Sequence, residues 1–252
     1  MQQKASKKSR KFIFIAVVLV ALISIIISFI WWQSVKGRDL TVQIDEKIKY
    51  PSVSPVLDLP QFVTSELQEK YEYNNDVVGW LKVSGTDINN EVLQSTDNDY
   101  YLRRTIDKKN SVWGCYFVDY KCNVKSREEL SRVTIIYGHS LNDNKDGKKF
   151  TQLKRYNDID FCKANSVISF SLLYEELKFE IFSISVMPID FYYIESDPND
   201  EKFAQVISKI YETSVHSPSD VKVKKDDKIL FLQTCTSDKN YRYIVAAKLI
   251  EN

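Results

Sequence analysis

Between residues 77 and 250 the chain sets eight short runs of β-branched and aromatic residues between stops of Asn, Asp, Gly and Ser. They are VVGWLKV at 77–83, NEVLQS at 90–95, SVWGCYFVDY at 111–120, RVTIIYG at 132–138, SVISFSL at 166–172, KFEIFSISVMPI at 178–189, KILFLQTC at 228–235 and YRYIVAAKLI at 241–250. Such side chains suit a pleated, half-buried surface, and the spacing of turn signals predicts a mainly β fold, a closed barrel or a sandwich. Leu230, Phe231 and Leu232 are consecutive, so their strand is expected to be covered on both faces. Two stretches have helical period instead. QFVTSELQEKYEYN, 61–74, puts Phe62, Leu67 and Tyr71 on one side, and NDEKFAQVISKIYETSV, 199–215, carries a stripe of Phe203, Val206, Ile207 and Ile210. Pro198 with Asp197 or Asp200 marks the start of the second helix.

The N-terminal part has a different pattern. FIFIAVVLVALISIIISFIWW, residues 12–32, is uncharged; as a helix it would reach about 31 Å, against a hydrocarbon core of roughly 30 Å. It is too long for the apolar part of a signal peptide and ends in Trp31 and Trp32, which suit a membrane interface. The expectation is a single-pass anchor at 12–32, a basic cytoplasmic tail at 1–11 and everything beyond on the extracellular face. Residues 33–60, with Pro51, Pro55 and Pro60 and no clear period, read as a stalk, leaving 61–252 as the folded domain.

Composition changes this picture little. The chain is 44% hydrophobic and 27% charged, a globular balance. Five of its 35 Lys and Arg residues lie within 4–11, so the remainder, with 30 basic against 34 acidic residues, is weakly acidic. No basic stripe marks a nucleic-acid partner. A domain of this size needs no disulfide or metal to hold its core. The four cysteines, Cys115, Cys122, Cys162 and Cys235, and the two histidines, His139 and His216, show no metal-ligand spacing, and no metal is expected. A Cys115–Cys122 bridge and four reduced thiols both remain open. NDNKDG at 142–147 opens like a calcium loop, but Asn142 stands at its first position and Leu153 at its twelfth, so a polar turn is expected. KVKKDDK at 222–228 reads as a solvated turn.

Chemistry gathers at two places. Cys235 ends an apolar run, six residues follow, and Arg242 opens the last run. If the two strands pair, sulfur and guanidinium flank one loop mouth, where the cation favours thiolate and holds a developing oxyanion. In TIIYGHSL, His139 follows a strand directly after Gly138, whereas His216 lies in SVHSPSD, an exposed-turn context. For thiol chemistry His139 is the better-placed proton carrier.

TIIYGHSL, LQTC and the arginine opening the final strand, in that order, resemble the catalytic set of the sortase family. NNDVVGWLKVSGTDIN (74–89), VLQSTDNDYYL (92–102) and DGKKFTQLKRY after the histidine are similar to class B members, and the likeness runs from about 74 to 250. It implies a closed eight-stranded sortase-type β-barrel, with an N-terminal helix and a helix before the penultimate strand, using no cofactor. It further implies a cysteine transpeptidase that cleaves a C-terminal sorting signal after Thr and transfers the surface protein to a peptidoglycan-precursor amine. On matching positions Cys235 is the nucleophile, His139 the proton carrier and Arg242 the oxyanion holder. Asn98, Leu102, Tyr193 and Thr234 are the implied substrate-binding residues.

The match has departures. Thr236 and Ser237 stand where the class often has an acid, with Asp238 following; the Cys–Arg interval of seven is short; and GCYFVDYKCN adds two cysteines. Three rival readings are a thiol peptidase that only hydrolyses, a pilin-polymerising sortase of another class, and a non-catalytic surface-binding module.

Overall fold

The computed structural model describes residues 22–33, 60–140, 146–191 and 193–251. The chain divides into two units, Met1–Leu57 and Asp58–Asn252. In the first, residues 22–33 are helical. No helix among the described residues is long and apolar enough to cross a membrane. This overturns the expected single-pass anchor at 12–32 and the extracellular placement that depended on it. Residues 1–21 and the expected stalk at 34–59 lie outside the described residues.

Among its described residues the second unit holds nine strands: β1 (Val77–Val83), β2 (Asn89–Leu93), β3 (Tyr116–Val118), β4 (Val133–Tyr137), β5 (Val167–Leu172), β6 (Glu176–Pro188), β7 (Ser214–His216), β8 (Ile229–Cys235) and β9 (Tyr241–Leu249). Their order is β5-β1-β2-β3-β4-β8-β9-β6-β7, and β5 also pairs with β6. That last pairing closes eight strands into a barrel, as expected, and leaves β7 as an extra strand on β6. The β2–β3 and β4–β8 pairs are parallel and the rest antiparallel. Closure abolishes edges among the eight strands.

Side-chain alternation sorts the core into two clusters on opposite faces of β4, β8 and β9. Ile136, Leu230, Leu232 and Val245 point into the barrel with Phe170 and Phe179. Val133, Ile135, Ile229, Phe231 and Ile244 point outward, under helix α3 (Asp200–Glu212). The consecutive apolar residues of β8 are therefore covered on both sides. α3 buries Phe203, Val206, Ile207 and Ile210, the stripe seen in the sequence, and its cap is Asn199, whose side chain accepts from Lys202 N. Asp197 instead accepts from Ser131 Oγ and Arg132 N. Helix α1 (Ser65–Tyr73) is capped by Thr64, buries Leu67, and Phe62 ahead of it packs on Tyr71.

Four expectations change. The 111–120 run pairs only over β3, because Gly114 at φ +53 bends the chain before it. A 3-10 helix (Lys149–Asn157) and a short helix α2 (Ile159–Ala164) fill a stretch with no predicted element. Phe150, Leu153 and Tyr156, all fully buried, recur every three residues, the period of a 3-10 helix rather than of an α-helix or strand. His216, expected in an exposed turn, lies on β7, half-buried, with its ring bonded to the Asn157 carbonyl. The 222–228 turn is anchored: Asp227 is buried and pairs with Lys248 at 3.3 Å, and Lys228 donates to the Arg127 and Glu128 carbonyls.

Ile210 is fully buried beneath α3. Ile210→Ala is expected to lower unfolding free energy by about 2–5 kcal/mol, read as a lower urea midpoint with an unchanged slope.

Candidate active site

Strand register aligns two of the three expected catalytic residues and brings the end of β4, just before the third, onto the same strand. β4 runs parallel to β8 with Tyr137 opposite Gln233, and the contact continues one step further, Gly138 N donating to Gln233 O at 3.2 Å. Two residues past that pair stand His139 and Cys235. β9 runs antiparallel to β8 with Cys235 opposite Arg242. Partners in register share a face, and adjacent strands are about 4.8 Å apart. Cys235 and Arg242 thus form one row at the ends of β8 and β9, on the face that carries Phe231 and Ile244 rather than the barrel interior, and His139 follows the end of β4 by two residues. The row beneath is Tyr137, Gln233 and Ile244. On the opposite face Thr234 Oγ1 donates to Gly138 O at 2.7 Å and staples the ends of β4 and β8.

Each member is held by main chain. Gly138 cannot be larger: an added Cβ would meet the Phe150 ring at 2.5 Å. Phe150 N donates to His139 O at 3.0 Å, so the 3-10 helix pins the His139 backbone. The ring is held from the other side, Nε2 lying 2.7 Å from Leu102 O. A carbonyl only accepts, so Nε2 carries the proton and Nδ1 keeps the lone pair of the neutral ring. Burial lowers the His139 pKa below its ordinary 6.5, and the positive charges of Arg103 and Lys149 push the same way; the Leu102 bond opposes them. Arg242 Nη1 donates to Lys239 O at 3.0 Å, in the loop after Cys235, and to Tyr241 O at 2.9 Å, at the start of β9. Cys235 itself is exposed at the strand end.

The other expected residues separate by role. Asn98 is half-buried, its amide donating to Asp119 Oδ2 at 2.8 Å and its oxygen accepting from Tyr120 N. Leu102 is half-buried and supplies the carbonyl under His139. Thr234 is buried and faces the barrel. Tyr193 is only 3% exposed and donates to Gln233 Oε1 at 2.6 Å. It supports the row from below rather than forming an open wall. Sequence reasoning missed Asp119, Tyr137 and Gln233. The signal for the last two was present, since each lies two residues before a named residue on its strand.

The remaining thiols are free and buried. Cys115 donates to Arg104 O and Cys122 to Val133 O, so the bridge left open between them is not formed. Burial pushes Cys115 up to about 11, and Cys122 and Cys162 to about 12. Among the described residues no group of His, Cys, Asp and Glu is arranged to hold a metal; residues 141–145 of the calcium-like turn lie outside them.

A family model described as the sortase domain matches residues 81–250. Sortase B of Listeria monocytogenes is 35% identical over 214 residues, 83% of this chain and 84% of the relative. Sortase B of Staphylococcus aureus is 33% identical over 196 residues, 76% of this chain and 75% of the relative. A solved Staphylococcus aureus sortase B–substrate complex aligns with a TM-score of 0.66 at 32% identity, covering 74% of this chain and 85% of that one.

Two outcomes are expected. In an NMR titration, the His139 ring has its midpoint below 6.5, identified by its loss in His139→Gln. Gly114→Ala, whose Cβ would sit 2.5 Å from Leu102 O at φ +53, shifts that carbonyl and lowers turnover about tenfold or more, measured on a sorting peptide.

Proposed function

This chain belongs to the sortase family, as a class B cysteine transpeptidase, and on that premise we propose that it cleaves a C-terminal sorting signal after Thr and transfers the new acyl end to a peptidoglycan-precursor amine. The observation that supports this reading is Cys235 opposite Arg242 on β8 and β9, with His139 two residues beyond the Tyr137–Gln233 pair that joins β4 to β8.

In the proposed cycle Cys235 Sγ attacks the threonine carbonyl, and His139, kept neutral by burial, takes the thiol proton at Nδ1. The tetrahedral oxyanion is met by the Arg242 guanidinium. Collapse breaks the C–N bond, His139 passes its proton to the departing amine, and a C–S thioester remains. The acceptor amine then attacks the thioester carbonyl, His139 takes its proton, the C–S bond breaks, and the departing thiolate recovers that proton from His139 to return the thiol and the neutral ring. Among the described residues Arg242 Nη2 and Nε make no hydrogen bond, and these donors face no competition from the loop carbonyls held by Nη1. Asn98 and Leu102 border the sorting signal in this reading, while Tyr193 and Thr234 hold the strand end beneath it.

The test is a peptide bearing a sorting motif, incubated with the purified chain with and without an amine acceptor. Added amine is expected to raise product and to appear in it; an amine that changes nothing points to hydrolysis alone. Cys235→Ala is expected to abolish cleavage, whereas Ala at Cys115, Cys122 or Cys162 largely spares it. Equal loss at all four positions points to structural thiols. The base must be neutral, so the rate falls as pH drops through the lowered His139 pKa, and the acid limb of kcat/KM lies below pH 6.5.

A further inference from the structure

Asp119 lies just beyond β3 and is 2% exposed. Its Oδ2 accepts from Tyr137 Oη at 2.8 Å and from Asn98 Nδ2 at 2.8 Å, and its Oδ1 from the backbone N–H of Lys121 at 3.0 Å. Its own main chain is equally fixed, N donating to Ile135 O at 2.9 Å and O accepting from Gln94 Nε2 at 2.9 Å. A buried carboxylate is an inefficient way to add stability, since apolar side chains of like volume hold a fold as well or better. What it supplies is direction, by fixing several donors at once.

Both side-chain bonds lead to the same histidine. Tyr137 ends β4 two residues before His139, paired with Gln233 of β8. Asn98 begins the stretch whose Leu102 carbonyl holds the His139 ring, and the main chain there is locked by Cys115 N donating to Tyr101 O at 3.0 Å. Asp119 therefore ties together the two segments that clasp the imidazole, one through its backbone and one through its ring.

We propose that Asp119 is a positioning residue for His139, acting through Tyr137 on one side and Asn98 with the Leu102 carbonyl on the other. This rests on the reading of His139 as the proton carrier. Asp119 touches neither the histidine nor the reacting atoms.

The test is Asp119→Asn in the full chain. Its size is unchanged, but however the amide turns, at least one of the three donors meets an N–H in place of an oxygen. With two histidines in the chain, the hydrogen-bonded imidazole N–H of His139 is identified by its loss in His139→Gln. Asp119→Asn is expected to make that proton exchange rapidly with water and to lower kcat about tenfold or more. Tyr137→Phe, which removes one hydroxyl, is expected to do both to a smaller degree, and it decides the matter if Asp119→Asn fails to fold. A native-like His139 N–H in a folded variant overturns the proposal, whether turnover is retained or lost. Should His139→Gln keep wild-type turnover, the catalytic reading falls, while the N–H signal still reports whether Asp119 sets the ring.

Discussion

The double pairing of β8 is the constraint on which the rest of the molecule depends. One edge of β8 is bonded to β4 in parallel and the other to β9 in antiparallel, and both faces are packed, one into the barrel and one against α3. A strand fixed in every direction cannot slip, because a shift of one residue would turn each side chain to the opposite face. Cys235 inherits that rigidity as its last residue. Arg242 inherits it too, since register and not local geometry sets it opposite Cys235, and the chain leading to His139 is tied to the same strand by the Tyr137–Gln233 pair.

Around this frame the chain uses polar groups sparingly and in pairs of segments. Thr234 joins the β4 and β8 ends, Tyr193 joins the loop before α3 to Gln233, and Asp119 joins Asn98 to Tyr137. Each bond lies within one or two residues of the row or one layer beneath it. Burial and the Asp119 charge drive the Tyr137 hydroxyl far above its ordinary range, so it remains a donor at any working pH. Beneath Cys235 and Arg242 the polar groups are thus fixed in direction, while the thiol above them is exposed at the strand end.

Much of this was legible in the chain. Period-two runs located eight strands to within a residue or two except where Gly114 cut one short, and the α3 stripe matched residue for residue. Phe150, Leu153 and Tyr156 were invisible because a period of three fits neither helix nor strand templates. The 12–32 run showed the opposite failure: hydropathy alone suggested a span, and no helix among the described residues is long and apolar enough to be one. The holders of the row were hidden for another reason. His139 is bonded by the Leu102 carbonyl and Arg242 by those of Lys239 and Tyr241, and a carbonyl leaves no trace in residue identity. Tyr193, named from a resemblance, is buried and donates to Gln233.

That main-chain grip has an evolutionary consequence. Any residue at 239 or 241 offers the same oxygen, and the β8–β9 ladder pins both ends of the loop whatever lies between them. Residues 236–240 can therefore drift, as a replaceable cassette, without moving sulfur or guanidinium. Recognition and reactivity, neighbours in space, are left free to diverge at separate rates.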